Sequence, residues 1–432
     1  MAKKIIILGG GLSGLAAADK LLDKNFEVLI IEKAPFLGGL ASSFSMEDEE
    51  IPRFNHHIIK SNAITLEYLQ RYDLMGSNKW KRIKMAMALN NNVYGINTPL
   101  DLLKFDYLSF FGRMRMGLFG AYLIYLMNPE KIPANLDAES WLLEHAGREN
   151  TEKIWHELYG RNKFNISLSR ISAKQFAHRL HEKEGYDLFT FPMKGIQGMI
   201  DGLEKDVLAK KGRILINSNI IHLDVKSKKI VYSLKNKKIS EKYDILINTI
   251  PVPELLKFTK NFPKDYEEKI RKLRYIPVVG LCFGTKKFLN DRYYWINIIN
   301  ERIHVIYQHS LIIDKYKSKV AWCVRYGNSE QDLKLGDDEI KAIYLPILKR
   351  YFPDMELNWC LVFREKYAEP IYDKDYLSYA PSYKTHVNGF YNSGIQVTFP
   401  KIRNMNVALE SGIKVVDIIE KDLNELIQRK QV

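Results

Sequence analysis

Cysteine is scarce. Three residues, Cys282, Cys323 and Cys360, serve a chain of 432, with no CxxC pair and no histidine partners at zinc-ligand spacing. That excludes a disulfide framework and an encoded metal site, and it suits a reducing, cytoplasmic compartment. Long hydrophobic runs are also missing. The longest nearly uncharged stretch, 117–127 (GLFGAYLIYLM), is eleven residues, well short of the roughly 20 that a spanning helix needs. The opening MAKKIIILGG lacks the h-region and small-residue cleavage site of a secretory signal and reads as a first strand. Low-complexity linkers and internal repeats are absent, so two or three domains are expected to be interleaved segments of chain. Acidic residues are outnumbered, 51 against 65 Lys+Arg, for a net charge of +14. The excess suits anionic partners, much of it as solvated lysine over 226–238. No zinc-finger spacing or RNA-binding aromatic signature accompanies it, and nucleic acid is not expected as a partner.

What is present begins with a βαβ unit over residues 4–32: KIIIL as a buried strand, a glycine turn, a helix from about Ser13 to Asp23, then EVLII. Residues 100–185 turn helical, with helix starts at Asp, Ser and Asn. Strand character returns in RILINSNIIHLDV, KIVYSL and YDILINTI, and again in PVVGLCFG, WINIIN, HVIYQHSLII and VAWCVRY. The final stretch reads as a strand, NGFYNSGIQV, then a loop and an amphipathic helix.

Gly9, Gly11 and Gly14 form G-x-G-x-x-G between a predicted strand and a predicted helix, with Leu12 and Ser13 inside the turn. Gly9 permits the tight turn, Gly11 lets backbone approach a pyrophosphate, and Gly14 lets helix and strand pack closely. The helix amino terminus turns free N–H groups and its positive dipole end toward the phosphates. Glu32, 18 residues after Gly14 at the end of the second strand, is placed to accept hydrogen bonds from ribose hydroxyls and to repel a 2′-phosphate, with Lys33 beside it. These residues predict a dinucleotide site.

A second glycine pair, Gly38-Gly39 followed by Leu40, Ala41 and Ser42, resembles the second glycine motif of flavoenzymes. With it the chain resembles, over nearly its whole length, the family of FAD-dependent amine oxidases, protoporphyrinogen oxidases and phytoene desaturases. The resemblance implies an α/β fold: a Rossmann-like FAD-binding domain of the glutathione-reductase type, interleaved with a mixed-sheet and helical substrate domain. It divides the chain into FAD-binding segments 1–75, 190–255 and 385–432 and substrate segments 76–189 and 256–384. It implies noncovalent FAD, with Ile220 presenting backbone to the adenine, Thr249 where the chain leaves the flavin domain, and Gly394, Asn406 and Val407 at a third flavin contact. Many relatives follow that third glycine with an aspartate, whereas this chain has Ile395 and Gln396.

The same resemblance brings His56 and His57, in RFNHHIIKSN, near the flavin ring, and neighbours in an extended strand would point to opposite sides. Trp295 in DRYYWINIIN and His309 in HVIYQHSLII resemble substrate-domain strands of a bacterial and archaeal branch, so these four are the candidate catalytic residues. The expected function is an FAD-dependent oxidoreductase passing hydride between flavin N5 and a hydrophobic or amphipathic small molecule. No second G-x-G-x-x-G marks an NADPH domain, which leaves oxygen, a quinone or a transient nicotinamide as electron partner. The HHIIKSN stretch also looks like UDP-galactopyranose mutases, and a redox-neutral mutase of a nucleotide sugar is the alternative. Residues 105–127 join aromatics, Arg113 and Arg115 to the apolar run, a composition that fits either peripheral membrane contact or a buried core helix.

Overall fold

The computed structural model describes residues 2–76, 79–181, 187–327 and 330–431; residues 182–186, in the stretch expected to be helical, lie outside them. Continuous apolar runs such as KIIIL and EVLII are what a sheet buried on both faces requires. They form a five-stranded parallel sheet in the order Arg213–Leu215, Glu27–Ile31, Lys4–Leu8, Ile245–Asn248, Phe390–Asn392. Alternation divides the two faces. Ile5, Ile7, Val28, Ile30, Ile245 and Ile247 share one core with the helices Leu12–Leu22, Gln197–Ala209 and Met405–Gln431. Ile6, Leu8, Leu29, Ile31 and Leu246 pack into a second core with the strands Ile220–Asp224 and Lys229–Leu234 and the helix Val252–Phe258.

A seven-stranded sheet makes the other half, in the order Leu357–Pro370, Tyr275–Thr285, Lys319–Tyr326, Val305–Tyr307, Trp295–Ile298, Met85–Leu89, Asn92–Gly95. One face is covered by the helix Asp337–Tyr351, against which Ala86, Ala88, Ile296 and Cys323 pack. The other face presents Met85, Met87, Trp295, Tyr307 and Val324 to a cavity between the two sheets. Helices over 99–181 close the cavity on a further side, with Phe105, Phe119, Trp141, Trp155 and Phe176 as their own core.

Several elements differ from the sequence reading. The first helix runs Leu12–Leu22. HVIYQHSLII keeps strand geometry only over Val305–Tyr307 before a 3-10 turn at His309–Leu311. The strand expected in NGFYNSGIQV is Phe390–Asn392, with a second 3-10 turn at Ile395–Val397. In both places Gln308 or Gly394 leaves extended pairing, Gly394 with a φ of +86° that favours glycine.

One buried charge ties the glycine-turn helix to its neighbours. Asp19 is fully buried, and its carboxylate accepts from Arg71 Nη1 at 2.6 Å and Lys210 Nζ at 2.7 Å; Arg71 ends the helix Ala63–Arg71 and Lys210 follows the helix Gln197–Ala209. Burial alone would raise its pKa, and the two cations reverse that, so the carboxyl lies below the usual range. The stability this gives is present above the unfolded-state pKa and is lost as pH falls through the depressed folded one. We expect Asp19→Ala to cost about 1.5–3 kcal/mol, the range for hydrogen bonds to charged groups, since Arg71 and Lys210 can partly rehydrate. Denaturant unfolding of the FAD-saturated protein measures it, and an unchanged midpoint would contradict the role given to Asp19.

Candidate active site

The cavity measures about 1290 Å³ and runs from the glycine turn to the seven-stranded sheet. At its first end the turn after Lys4–Leu8 is held open by contacts that exclude side chains. A Cβ on Gly14 would lie 2.2 Å from the carbonyl oxygen of Gly9, and one on Gly9, where φ is +102°, would lie 2.7 Å from Thr249 Oγ1. A Cβ on Gly11 would meet nothing within 4 Å. The space beside Gly11 therefore belongs to the cavity. Gly38 donates its N–H to Gly10 O at 2.8 Å, which brings the second glycine turn against the first.

Glu32 is fixed before any ligand arrives. Its Oε2 accepts from the Gly10 N–H and its Oε1 from the Ala34 N–H, both at 2.7 Å, leaving further lone pairs toward the cavity. Leu12, Ser13, Lys33, Gly39, Leu40, Ile220, Thr249 and Gly394 lie on the same wall. Ser13 Oγ bonds Ser393 Oγ at 2.8 Å, and Ser411 Oγ accepts from the Gly394 N–H at 2.7 Å, so the third contact segment is pinned to the first and last helices.

Asn406 and Val407 are placed differently from expectation. Asn406 Oδ1 accepts from the Thr65 N–H at 3.1 Å, and the Val407 N–H donates to Asn404 Oδ1 at 2.8 Å. Asn404 caps the helix, and the wall here is made by Asn404 itself with Met405 and Ala408.

His56 and His57 both line the cavity, because residues 55–57 are irregular and strand alternation does not govern them. His56 Nε2 bonds Leu40 O at 2.8 Å, and burial, with Arg403 nearby, pushes its pKa down to about 4, so it is neutral. His57 Nδ1 lies 3.2 Å from the Tyr294 hydroxyl, and its ring lies 6.1 Å from that of Trp295. Trp295 packs edge-on against Tyr307 at 4.8 Å and donates its Nε1–H to Asn297. His309 stands off the cavity wall. The 3-10 turn tucks its ring among Phe191, Trp322 and Tyr316 at 4.4–5.7 Å, and burial lowers its pKa to about 3. An inert core histidine results.

Several wall residues escaped the sequence reading because they share no motif. Arg53 stacks on Phe36 with its guanidinium carbon 4.3 Å from the ring centre, lines the cavity, and keeps a buried Nε without a hydrogen-bond partner. A cation with an orphaned donor, an open space at Gly11 and a pre-fixed carboxylate at Glu32 are what a bound dinucleotide would complete. The residues present fit FAD. We expect Gly11→Val to abolish FAD uptake by filling that space. Glu32→Ala should weaken FAD affinity about tenfold or more, from loss of charge-assisted bonds worth about 1.5–3 kcal/mol. Fluorescence titration of the apoprotein with FAD checks both, and wild-type affinity in either variant would contradict the assignment.

Comparison with known proteins supports the cofactor independently. The flavin containing amine oxidoreductase family matches residues 12–419. The L-amino acid oxidase of Cerastes cerastes is 22% identical over 333 residues, covering 67% of this chain and 59% of its own. The chain spans between 7% and 59% of the length of the curated relatives it matches. In fold it is similar to an oxidoreductase from Methanosarcina mazei, with a TM-score of 0.72, 16% identity and coverage of 96% of this chain and 100% of the other. It is similar to reduced UDP-galactopyranose mutase too, with a TM-score of 0.75, 15% identity and coverage of 97% and 96%. The match runs from Leu12, the first residue of the glycine-turn helix, to residue 419 in the last helix, and the chain belongs to the flavin containing amine oxidoreductase family, with FAD as its cofactor.

Proposed function

We propose that this enzyme passes hydride between FAD and a hydrophobic or amphipathic small molecule held in the second half of the cavity. The observation that carries the reading is the aromatic wall of His57, Trp295 and Tyr307 at the end of a cavity that begins at a dinucleotide turn. Bound FAD supplies an N5 that accepts or donates hydride. The chain's own part is to orient the substrate and to keep water out. Met85, Met87, Ile96, Trp155, Leu158 and Tyr159 give it an apolar bed. His57, held by Tyr294, and Tyr307 flank Trp295, while neutral His56 braces the Leu40 carbonyl. The mutase reading, which rests on the HHIIKSN stretch and on fold likeness, ranks second.

The helical layer supports a partner as well. Nine of the sixteen large hydrophobic side chains exposed among the described residues fall between 100 and 126, with Phe111 82% and Tyr125 81% exposed. They sit on and beside the helix Phe110–Tyr125, and residues 107–129 contain Arg113 and Arg115 and no acid. No helix among the described residues is long and apolar enough to cross a membrane. An apolar face that carries Arg113 and Arg115 on its helix is complementary to an anionic bilayer surface, which is the partner we infer. The inner side of the same helix presents Phe119 to Trp155, a cavity-wall residue, at 5.8 Å.

Two outcomes follow. Trp295→Ala and His57→Ala should slow flavin reduction by substrate more than they weaken FAD binding, as anaerobic single-turnover kinetics and FAD titration show side by side; equal losses would mean a structural role. The holoenzyme should co-sediment with phosphatidylglycerol vesicles and less with phosphatidylcholine vesicles, and Phe111→Glu with Leu118→Glu should abolish this. Equal binding to both vesicles, or binding unchanged in the double variant, would contradict the membrane face.

A further inference from the structure

Four charged side chains from four separate elements meet on the cavity wall. Glu369, 3% exposed, lies near the end of the strand Leu357–Pro370. Its Oε2 accepts from Lys163 Nζ at 2.9 Å, and its Oε1 accepts from Arg179. Arg403 donates from Nη1 to the carbonyl of the adjacent Ala368 at 3.0 Å. Lys163 ends the wide-turned helix Thr151–Phe164, Arg179 belongs to the helix Ala173–His181, and Arg403 precedes the last helix. All four line the cavity.

The charges do not balance. Among the described residues of this cluster, three cations, Lys163, Arg179 and Arg403, gather around the single carboxylate of Glu369. Glu369 is ionised, since Arg179, Lys163 and Arg403 overcome the effect of burial and hold its pKa well below the carboxylate range. Burial, offset in part by Glu369 and reinforced by Arg179 and Arg403, lowers Lys163 to about 8. A wall on which cations outnumber carboxylates favours an anion arriving from the cavity.

The cluster also adjoins the aromatic wall. Lys163 Nζ stands 3.8 Å over the ring of Tyr326, Tyr326 shares a hydrogen bond with Tyr307, and Tyr307 packs on Trp295 at 4.8 Å. Helices with widened turns are rare and concentrate at functional sites, and this one sets Trp155, Tyr159 and Lys163 along the same cavity. The phosphates of FAD have other donors, in the two glycine turns and Arg53.

We propose that Lys163, Arg179 and Arg403, braced by Glu369, form an anion-binding subsite for the carboxylate or phosphate group of an amphipathic substrate, whose apolar body lies along Trp155, Tyr159, Tyr307 and Trp295. The proposal rests on the reading above that substrate occupies this cavity, and it adds the chemical class of the substrate's polar end. Arginine forks and a lysine point charge together recognise either oxyanion.

Calorimetry on the oxidised holoenzyme tests it with benzoate, phenyl phosphate and the neutral benzyl alcohol. Both anions, or the preferred one of the two, should bind at least about tenfold more tightly than the alcohol, and which anion is preferred tells carboxylate from phosphate. Lys163→Gln and Arg179→Gln should each lower anion affinity about tenfold while leaving FAD content and alcohol affinity unchanged. Anion affinity should also fall as pH rises through about 8, where Lys163, faced by Glu369, Arg179, Arg403, His304 and Tyr326, loses its proton. Equal affinity for the alcohol and both anions, absence of anion binding, or anion affinity unchanged in both variants would overturn the proposal. The native comparison of probes stands even where a variant fails to fold. A neutral donor that reduces the flavin while no anion binds would overturn the subsite and leave hydride transfer intact. Anion binding lost in the variants upholds the subsite whether or not a donor has been found.

Discussion

The close approach of two backbones at the first turn is the constraint on which the rest depends. A phosphate can be held by main-chain N–H groups only where no side chain stands between them, and a Cβ at Gly14 would fall 2.2 Å from Gly9 O. With that contact made, the helix Leu12–Leu22 points its amino terminus along the cavity, and the strand Glu27–Ile31 ends where Glu32 can bond the Gly10 N–H. Thr249 closes the turn from below by donating to Leu8 O at 2.7 Å. The last helix completes the same packing, since a Cβ on Gly412 would lie 2.3 Å from Ser13 O. Segments hundreds of residues apart in sequence are thus brought to one dinucleotide groove.

The second half of the cavity follows a different logic. Its wall is a sheet face on which apolar and aromatic side chains alternate with residues packed the other way: Met85 and Met87 inward, Ala86 and Ala88 toward the covering helix. Such a wall selects by shape and apolar area and gives little polar specificity. The charges on it are therefore the more informative part. Glu369 fixes Lys163 and Arg179 in place, and the remaining positive charge is turned toward whatever the cavity receives.

Where chemistry depends on a short local pattern, the sequence was readable. Gly9, Gly11, Gly14, Glu32 and Gly38-Gly39 each answer a backbone requirement within about one βαβ unit, and the continuous apolar runs announced a parallel sheet. Ile220, Thr249 and Gly394 came through family resemblance, and all three lie on the cavity. His309 was misplaced because nothing in HVIYQHSLII marks the end of the strand after Tyr307. Asn406 and Val407 lie beside the cavity wall, with the Val407 N–H taken up by the capping Asn404 and the wall made by Asn404, Met405 and Ala408. His56 and His57 share one cavity because residues 55–57 are irregular, and nothing in RFNHHIIKSN marks that break from strand geometry. Lys163, Arg179, Glu369 and Arg403 stand too far apart in sequence for any spacing to announce them. Only the fold brings them together.

Hydride transfer requires the flavin to change oxidation state with its substrate. The direct measurement is an anaerobic spectrum of the holoenzyme followed through turnover in two arms: the oxidised enzyme with a series of amphipathic amines and carboxylates, and the dithionite-reduced enzyme with UDP-galactopyranose. The account predicts that a donor bleaches the flavin in proportion to the substrate oxidised and that the sugar nucleotide is returned unchanged. Conversion of many equivalents of the sugar nucleotide with the flavin reduced at the start and at the end would contradict it.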